Sequence, residues 1–113
     1  MALMAVAFPI APGKTDEWKK FIAELNGARR ADFVASRKGI GARERTFLQP
    51  TPMGDLVVVT LEGDDPAQAF GKFVSSKDPF TLWFLERAKE VHGVDLTQAA
   101  AGPMPQLVID SAG

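Results

Sequence analysis

Apolar residues in this chain fall into two patterns, continuous runs and stripes of helical spacing, which alternate along the sequence. The run at residues 3–8 is short and ends at Pro9, which predicts a strand that closes at a turn. The next apolar residues recur every three or four positions and predict an amphipathic helix with one buried face. They are Trp18, Phe21, Ile22, Leu25 and Ala28, and Phe33 and Val34 extend the stripe toward Gly39 and Gly41, where we expect the helix to end.

A β-hairpin is predicted in the middle of the chain. Residues 43–49 and 55–62 are strand-like, and residues 50–54 between them are turn formers. A register symmetric about this turn would pair Glu44 with Thr60 and place Glu44 and Glu62 on one face of the sheet. In any register, Arg43, Arg45 and Phe47 lie on the face opposite Glu44, because side chains alternate along a strand.

The second half of the chain predicts a helix in two pieces and then a final strand. Asp65-Pro66 and Asp78-Pro79 each place an N-cap aspartate before a proline at the first helical position. Gly93 is a natural stop, and a linker at residues 98–105 leads to an apolar run at 107–109. The resulting order is β-α-β-β-α-β with an interrupted second helix. We therefore expect one ferredoxin-like α+β domain over residues 1–113, with four antiparallel strands and helices on one face.

The predicted strands are apolar on both faces, and this suggests how the protein assembles. A sheet with one solvated face should alternate apolar and polar residues, but residues 3–8, 56–59 and 107–109 do not. Two helices cover only one face of such a sheet. The other face is expected to meet a second copy of the chain, giving a homodimer. The alternative is that the linker at 98–105 folds over that face.

Composition excludes several classes of function. Cysteine is absent and His92 is the only histidine, so thiolate and multi-histidine metal sites within one chain are ruled out and we predict no metal and no cofactor. The net charge of −1 argues against nucleic acid or an anionic membrane as partner. No apolar run approaches the ~20 residues of a membrane helix. The first residues lack the basic region of a signal peptide, so we expect a cytoplasmic protein.

Several segments of the chain together resemble a known superfamily. They are Thr51-Pro-Met-Gly-Asp55, Glu62-Gly-Asp-Asp-Pro66, Asp78-Pro-Phe80, Trp83-Phe84 and His92-Gly-Val-Asp-Leu96. With the element order, they make residues 3–110 similar to an uncharacterised bacterial branch of the dimeric α/β-barrel superfamily, which includes antibiotic-biosynthesis monooxygenases and EthD-like proteins. The resemblance implies a ferredoxin-like fold and dimerisation. It implies no catalytic site, because activities differ widely within the superfamily and fold does not fix function.

His92 and Glu44 are the candidates for proton transfer. His92 is the only side chain whose ordinary pKa lies near neutrality. It also precedes Gly93 at a predicted helix end, and the alternative interpretation is that it caps the helix or packs in the core. Asp95 could orient it or could cap the turn that follows. Glu44 lies within an otherwise apolar strand face, where a carboxylate is either solvated or lines a pocket.

Aromatic side chains on the predicted helices suggest an apolar ligand site against the sheet. Such residues are ordinary core material, but large rings beneath a broken helix also leave cavities. The ligand-binding candidates are Trp83, Phe84, Phe80, Phe70 and Trp18, with Arg45 as an anchor for a carboxylate or as a partner for acidic groups across a dimer interface.

Three functions are compatible with these residues. The first is a protein that binds an apolar small molecule, fatty-acid-like or an aromatic acid, between sheet and helices. The second is a cofactor-independent monooxygenase or isomerase that uses His92 or Glu44. The third is a structural dimer without a ligand. The sequence leaves open whether the protein is an enzyme.

Overall fold

The computed structural model describes residues 1–112 as an α+β fold with a three-stranded antiparallel sheet and five helices. None of these helices has the length and apolar character needed to cross a membrane. In chain order the elements are β1 (Ala2–Pro9), α1 (Thr15–Asn26), α2 (Arg30–Ile40), β2 (Ala42–Thr51), β3 (Gly54–Gly63), α3 (Pro66–Ser75), α4 (Pro79–His92) and α5 (Leu96–Ala101).

The sheet has the order β1-β3-β2, so β3 is the central strand and β1 and β2 are the two edges. The hairpin turn is tighter than predicted, because Thr51 already pairs with Gly54 and Gly54 adopts a φ of 119°. This moves the register by one residue, and Glu44 pairs with Leu61 instead of Thr60. A one-residue shift exchanges the two faces of a strand. The prediction that Glu44 and Glu62 share a face is therefore wrong, whereas Arg45 does lie on the face opposite Glu44.

Local signals explain most of the helix boundaries. The carboxylates of Asp65 and Asp78 accept hydrogen bonds from the backbone N–H groups of Gln68 and Thr81, so both predicted N-caps and the interruption between α3 and α4 are confirmed. Gly41 ends α2 in the left-handed conformation at φ 74°, which favours glycine. The first helical stripe is divided in two, because residues 27–29 separate α1 from α2.

The final strand predicted at residues 107–109 does not form in this chain. After α5 the backbone continues without regular structure, and Leu107, Val108 and Ile109 are 77%, 88% and 84% exposed. A strand needs a neighbour to satisfy its backbone groups, and within residues 1–112 this segment has none. The sheet of the single chain consequently has three strands rather than the four predicted.

The two faces of the sheet have different surroundings. Met4, Val57 and Leu61 point toward the helices and are buried with the aromatic residues of α1, α3 and α4. On the outer face, Leu3 and Phe47 are 56% and 54% exposed. The linker predicted at residues 98–105 is wrong in part, because residues 98–101 belong to α5. The alternative in which this segment covers the outer face is not realised, because residues 102–105 line a groove beside the edge strand β1 together with Val6, Phe8 and Phe70, and Leu3 and Phe47 stay exposed. A sheet face that carries exposed apolar residues thus remains open to solvent in the single chain.

Candidate functional site

An apolar cavity lies between the inner face of the sheet and the helices. Its volume is about 70 Å³. Since one water needs roughly 10–15 Å³, the cavity holds a few waters as it stands. Ligand pockets usually measure roughly 300–1,000 Å³, so a larger ligand has to push the walls apart. Its apolar walls include Val6, Phe8, Trp18, Ile22, Phe70 and Phe84.

A buried ion pair forms one polar part of the cavity wall. Arg37 Nε donates to Glu44 Oε1 at 2.8 Å, and the two side chains are only 7% and 9% exposed. Thr46 Oγ1 donates to the other carboxylate oxygen of Glu44 at 2.9 Å. The local fold explains the pair: α2 ends at Gly41 and β2 starts at once, so a residue in the last helical turn meets one near the start of the strand.

Three aromatic rings hold the Arg37 guanidinium in place. Its central carbon lies 4.8 Å, 4.3 Å and 4.8 Å from the ring centroids of Phe33, Phe73 and Phe84. Stacking of this kind adds electrostatic attraction to the ring faces and limits the motion of the side chain. Because Arg37 and Glu44 neutralise each other and both Glu44 oxygens accept hydrogen bonds, the carboxylate is committed to structure and is poorly placed as a free base.

His92 forms a second polar part of the wall. It is the last residue of α4 and is 8% exposed. Its Nδ1 lies 2.9 Å from the carbonyl oxygen of Pro9. Since a carbonyl only accepts, Nδ1 carries the proton in the neutral ring and Nε2 is left as an acceptor. Burial lowers the pKa of His92 below its usual value, and the Pro9 carbonyl opposes this in part.

Capping does not explain the position of the imidazole. Gly93 adopts the left-handed conformation and ends α4, because its backbone N–H donates to the carbonyl of Lys89. Asp95 caps α5 by accepting from the N–H and hydroxyl of Thr97, so it does not orient His92. The ring packs instead beside Phe8, with centroids 5.6 Å apart. The ring of His92 thus packs in the core and also lines the cavity, and its role toward a ligand stays a prediction.

The other predicted ligand residues divide into two groups. Trp18, Phe70 and Phe84 line the cavity. Phe80 lines a different surface groove, and Trp83 is half-buried beneath the Arg29 guanidinium, 4.3 Å from its ring. Arg45 lies on the outer face of the sheet and pairs with Glu62 at 3.7 Å, so it is remote from this cavity.

Sequence reasoning missed Arg37 and Thr46. A signal for Arg37 was present, because it follows Phe33 by four residues and therefore continues the buried stripe of the helix. An arginine at such a position needs an acidic partner, and Glu44 lies just beyond the helix end. Thr46 follows from Glu44, since residues two apart on a strand share a face.

No family model, curated protein or solved structure matches the chain. Within residues 1–112, no three acidic, histidine or cysteine side chains are grouped so as to hold a metal ion. The features of the chain that bear on function are therefore the cavity and its two fixed polar groups, the Arg37–Glu44 pair and His92.

Proposed function

We propose that the protein binds an apolar small molecule in the cavity between the sheet and the helices, and that it does so as a homodimer. One observation carries the proposal: an apolar cavity whose wall contains two polar groups held in fixed orientations, the Arg37–Glu44 pair and His92. Pockets of this composition, mostly apolar with a few oriented polar groups, are typical of small-molecule sites.

The polar groups of the cavity restrict the chemistry of the ligand more than the apolar walls do. Arg37 is neutralised by Glu44, and the neutral His92 ring offers Nε2 as an acceptor. A ligand with an apolar body and one hydrogen-bond donor, such as a hydroxyl or a protonated carboxyl group, would satisfy this acceptor. Fatty-acid-like molecules and aromatic acids remain the proposed classes, bound with the acid proton in place, because a buried carboxylate would lack a free cation.

The two tryptophans provide the test. Trp18 lines the cavity and Trp83 does not, so the Trp83→Phe variant reports on the cavity alone. Its emission is expected to shift on titration with decanoate, benzoate, decanol or phenol. The Trp18→Phe variant, whose remaining indole lies outside the cavity, should show no shift with the same probes.

Mass spectrometry of a denaturing extract of the purified protein complements this titration and should reveal a retained apolar compound. If the extract is empty and none of the four probes shifts the Trp18 emission, the structural dimer without a ligand replaces the proposal.

An enzymatic function is the second candidate, and one observation favours it. The carbonyl of Pro9 fixes the His92 tautomer, so that Nε2 can take a proton from a bound hydroxyl or activated C–H group. This geometry suits an isomerase, which would return the proton elsewhere on the ligand. It also suits a monooxygenase in which a CH2 group of the ligand reduces dioxygen, so that one oxygen atom becomes a carbonyl of the ligand and the other leaves as water with the two hydrogens. Turnover without metal or flavin should then be lost in His92→Gln while ligand binding persists. Glu44→Gln should change turnover much less, because Glu44 is engaged by Arg37 and Thr46.

The proposed dimer is supported by the outer face of the sheet. Leu3, Phe47 and Val58 give this face an apolar surface, and Arg45 and Glu62 provide opposite charges near one end. A twofold axis through the face would bury the apolar residues of both copies and let the charges pair between them.

A further inference from the structure

We propose that residues 106–110 of each copy add as a strand to the free edge of β1 in a second copy. The proposal rests on the proposed homodimer but not on the proposed ligand. It joins two features of the chain that the sheet leaves unpaired, the free edge of β1 and the exposed apolar residues 107–109.

The edge of β1 lacks the charged residues and the internal proline that usually protect an edge strand, and residues 102–105 lie beside only part of it. The order β1-β3-β2 makes β1 and β2 the two edge strands. Proteins protect such edges from pairing with charged residues or proline. Edge strand β2 contains Arg43, Glu44, Arg45 and Pro50, whereas β1 has no charged residue and its proline is only the last residue, Pro9. An edge of this kind is suited to accept another strand.

Residues 107–109 have the properties that this edge requires. Leu107, Val108 and Ile109 are aliphatic, at least 77% exposed, and outside any helix or strand. In an added strand, Leu107 and Ile109 would face one side of the sheet and Val108 the other. Both sides beside β1 are apolar, with Val6 toward the helices and Ala5 on the outer face. The segment therefore matches the edge on both faces.

The path of the chain favours exchange between copies over pairing within one. A groove of about 440 Å³ lies between residues 6–8 of β1 and the linker at residues 102–105. Within residues 1–112, no backbone hydrogen bond joins this linker or residues 106–110 to β1. Pro103 and Pro105 restrict the backbone that leads to residues 107–109, which are at least 77% exposed and are not paired with their own β1. A twofold axis makes each copy both donor and acceptor, which closes the assembly as a dimer.

Exchange would also complete the ligand site. Val6, Phe8 and Phe70 line both the groove and the cavity. A strand from the second copy along β1 would cover the groove, so the partner would contribute to the enclosure of the site on this side.

The absence of cysteine from the chain permits a direct test by crosslinking. Purified Ala5→Cys protein is mixed with Leu107→Cys or with Val108→Cys protein, whose side chains would face opposite sides of the added strand. The mixtures are unfolded, refolded together and treated with a short bismaleimide. A product that joins the two different variants is expected in at least one mixture. Lys20→Cys, on the exposed side of α1, is the matched control and should give no such product with either partner.

Sedimentation of a chain that lacks residues 106–113 separates the possible outcomes. Loss of the segment is expected to weaken dimerisation at least tenfold. A mixed crosslink from neither pair, with crosslinking only inside an Ala5→Cys/Val108→Cys double variant, would show that the segment pairs with its own β1 and would overturn the exchange. A truncated chain that dimerises as tightly as the full chain would overturn it too, while leaving the proposed homodimer intact. A full chain that is monomeric would overturn both.

Discussion

At the scale of single residues, His92 gives the protein a stability that depends on pH. Burial lowers the pKa of the folded ring below the ordinary 6.5. As pH falls from 6.5 toward the lower pKa of the folded ring, the unfolded chain takes up a proton before the folded chain does, so the free energy of unfolding decreases. The contribution of His92 is therefore complete above pH 6.5 and is lost as pH falls toward the folded pKa.

This dependence can be measured with urea titrations between about pH 5 and pH 8, the range in which an imidazole titrates. The wild-type protein should become less stable toward the acidic end. In His92→Gln, whose amide can still donate to the Pro9 carbonyl, the slope over this range should largely disappear. NMR titration of the single imidazole gives the folded pKa directly, and a value above 6.5 would contradict the prediction.

The Arg37–Glu44 pair gives a second prediction at this scale. Both side chains are nearly inaccessible, so removal of one leaves the other charged and buried. Glu44→Ala should lower the free energy of unfolding by ~3–5 kcal/mol. The double variant Arg37→Met/Glu44→Leu removes both charges and keeps much of the volume, and it should regain most of this loss. A loss below about 1 kcal/mol in Glu44→Ala, typical of exposed ion pairs, would show that the pair is solvated.

At the scale of elements, α4 supplies two neighbouring aromatic residues with different roles. Phe84 is 8% exposed and packs edge-on against Phe21 and Phe73, with centroids 5.0 Å and 5.1 Å apart. Trp83 is only half-buried and lies under Arg29. The core position beneath α4 is therefore occupied by the phenylalanine rather than by the larger tryptophan.

Alanine substitutions should reveal this difference. Phe84→Ala is expected to cost ~3–5 kcal/mol, the usual range for a buried aromatic residue. Trp83→Ala should cost clearly less, about 1–2 kcal/mol, because part of its surface is already in water. Chemical denaturation monitored by circular dichroism measures both without relying on the tryptophan signal. Equal losses would mean that Trp83 belongs to the core as fully as Phe84 does.

At the scale of the whole molecule, the open sheet face predicts a dimer. A stable interface buries roughly 800 Å² on each partner, and the outer face of the sheet is the apolar surface available for it. Val58 lies on that face in the central strand. Val58→Asp should convert the dimer to a monomer, because it places a charge where the two copies would meet.

Sedimentation equilibrium at micromolar concentration measures this change. Leu82→Asp is the matched control, since Leu82 is 50% exposed on α4 and lies on the helical side of the molecule. It should remain dimeric. A wild-type chain that is a stable folded monomer under these conditions would refute the dimer.

Local features of the fold could be predicted because they depend on neighbouring residues. The aspartate-proline pairs fixed the starts of α3 and α4, and the left-handed glycines at 41 and 93 fixed the ends of α2 and α4. The apolar stripe of α1 correctly predicted Trp18, Phe21 and Leu25 as buried. Each of these results follows from backbone geometry or helical spacing within a few residues.

The candidate site depended on contacts that sequence spacing does not specify. The tight turn at Gly54 set the hairpin register and so placed Glu44, but not Glu62, on the inner face. Arg37 is buried because Glu44 and three rings from separate elements surround it. Residues 107–109 have a strand-like sequence but no strand beside them in the single chain. The sequence determined most of the elements and their apolar faces, whereas the tertiary structure decided which faces meet and whether the last strand forms, because pairing and burial depend on partners that are distant along the chain.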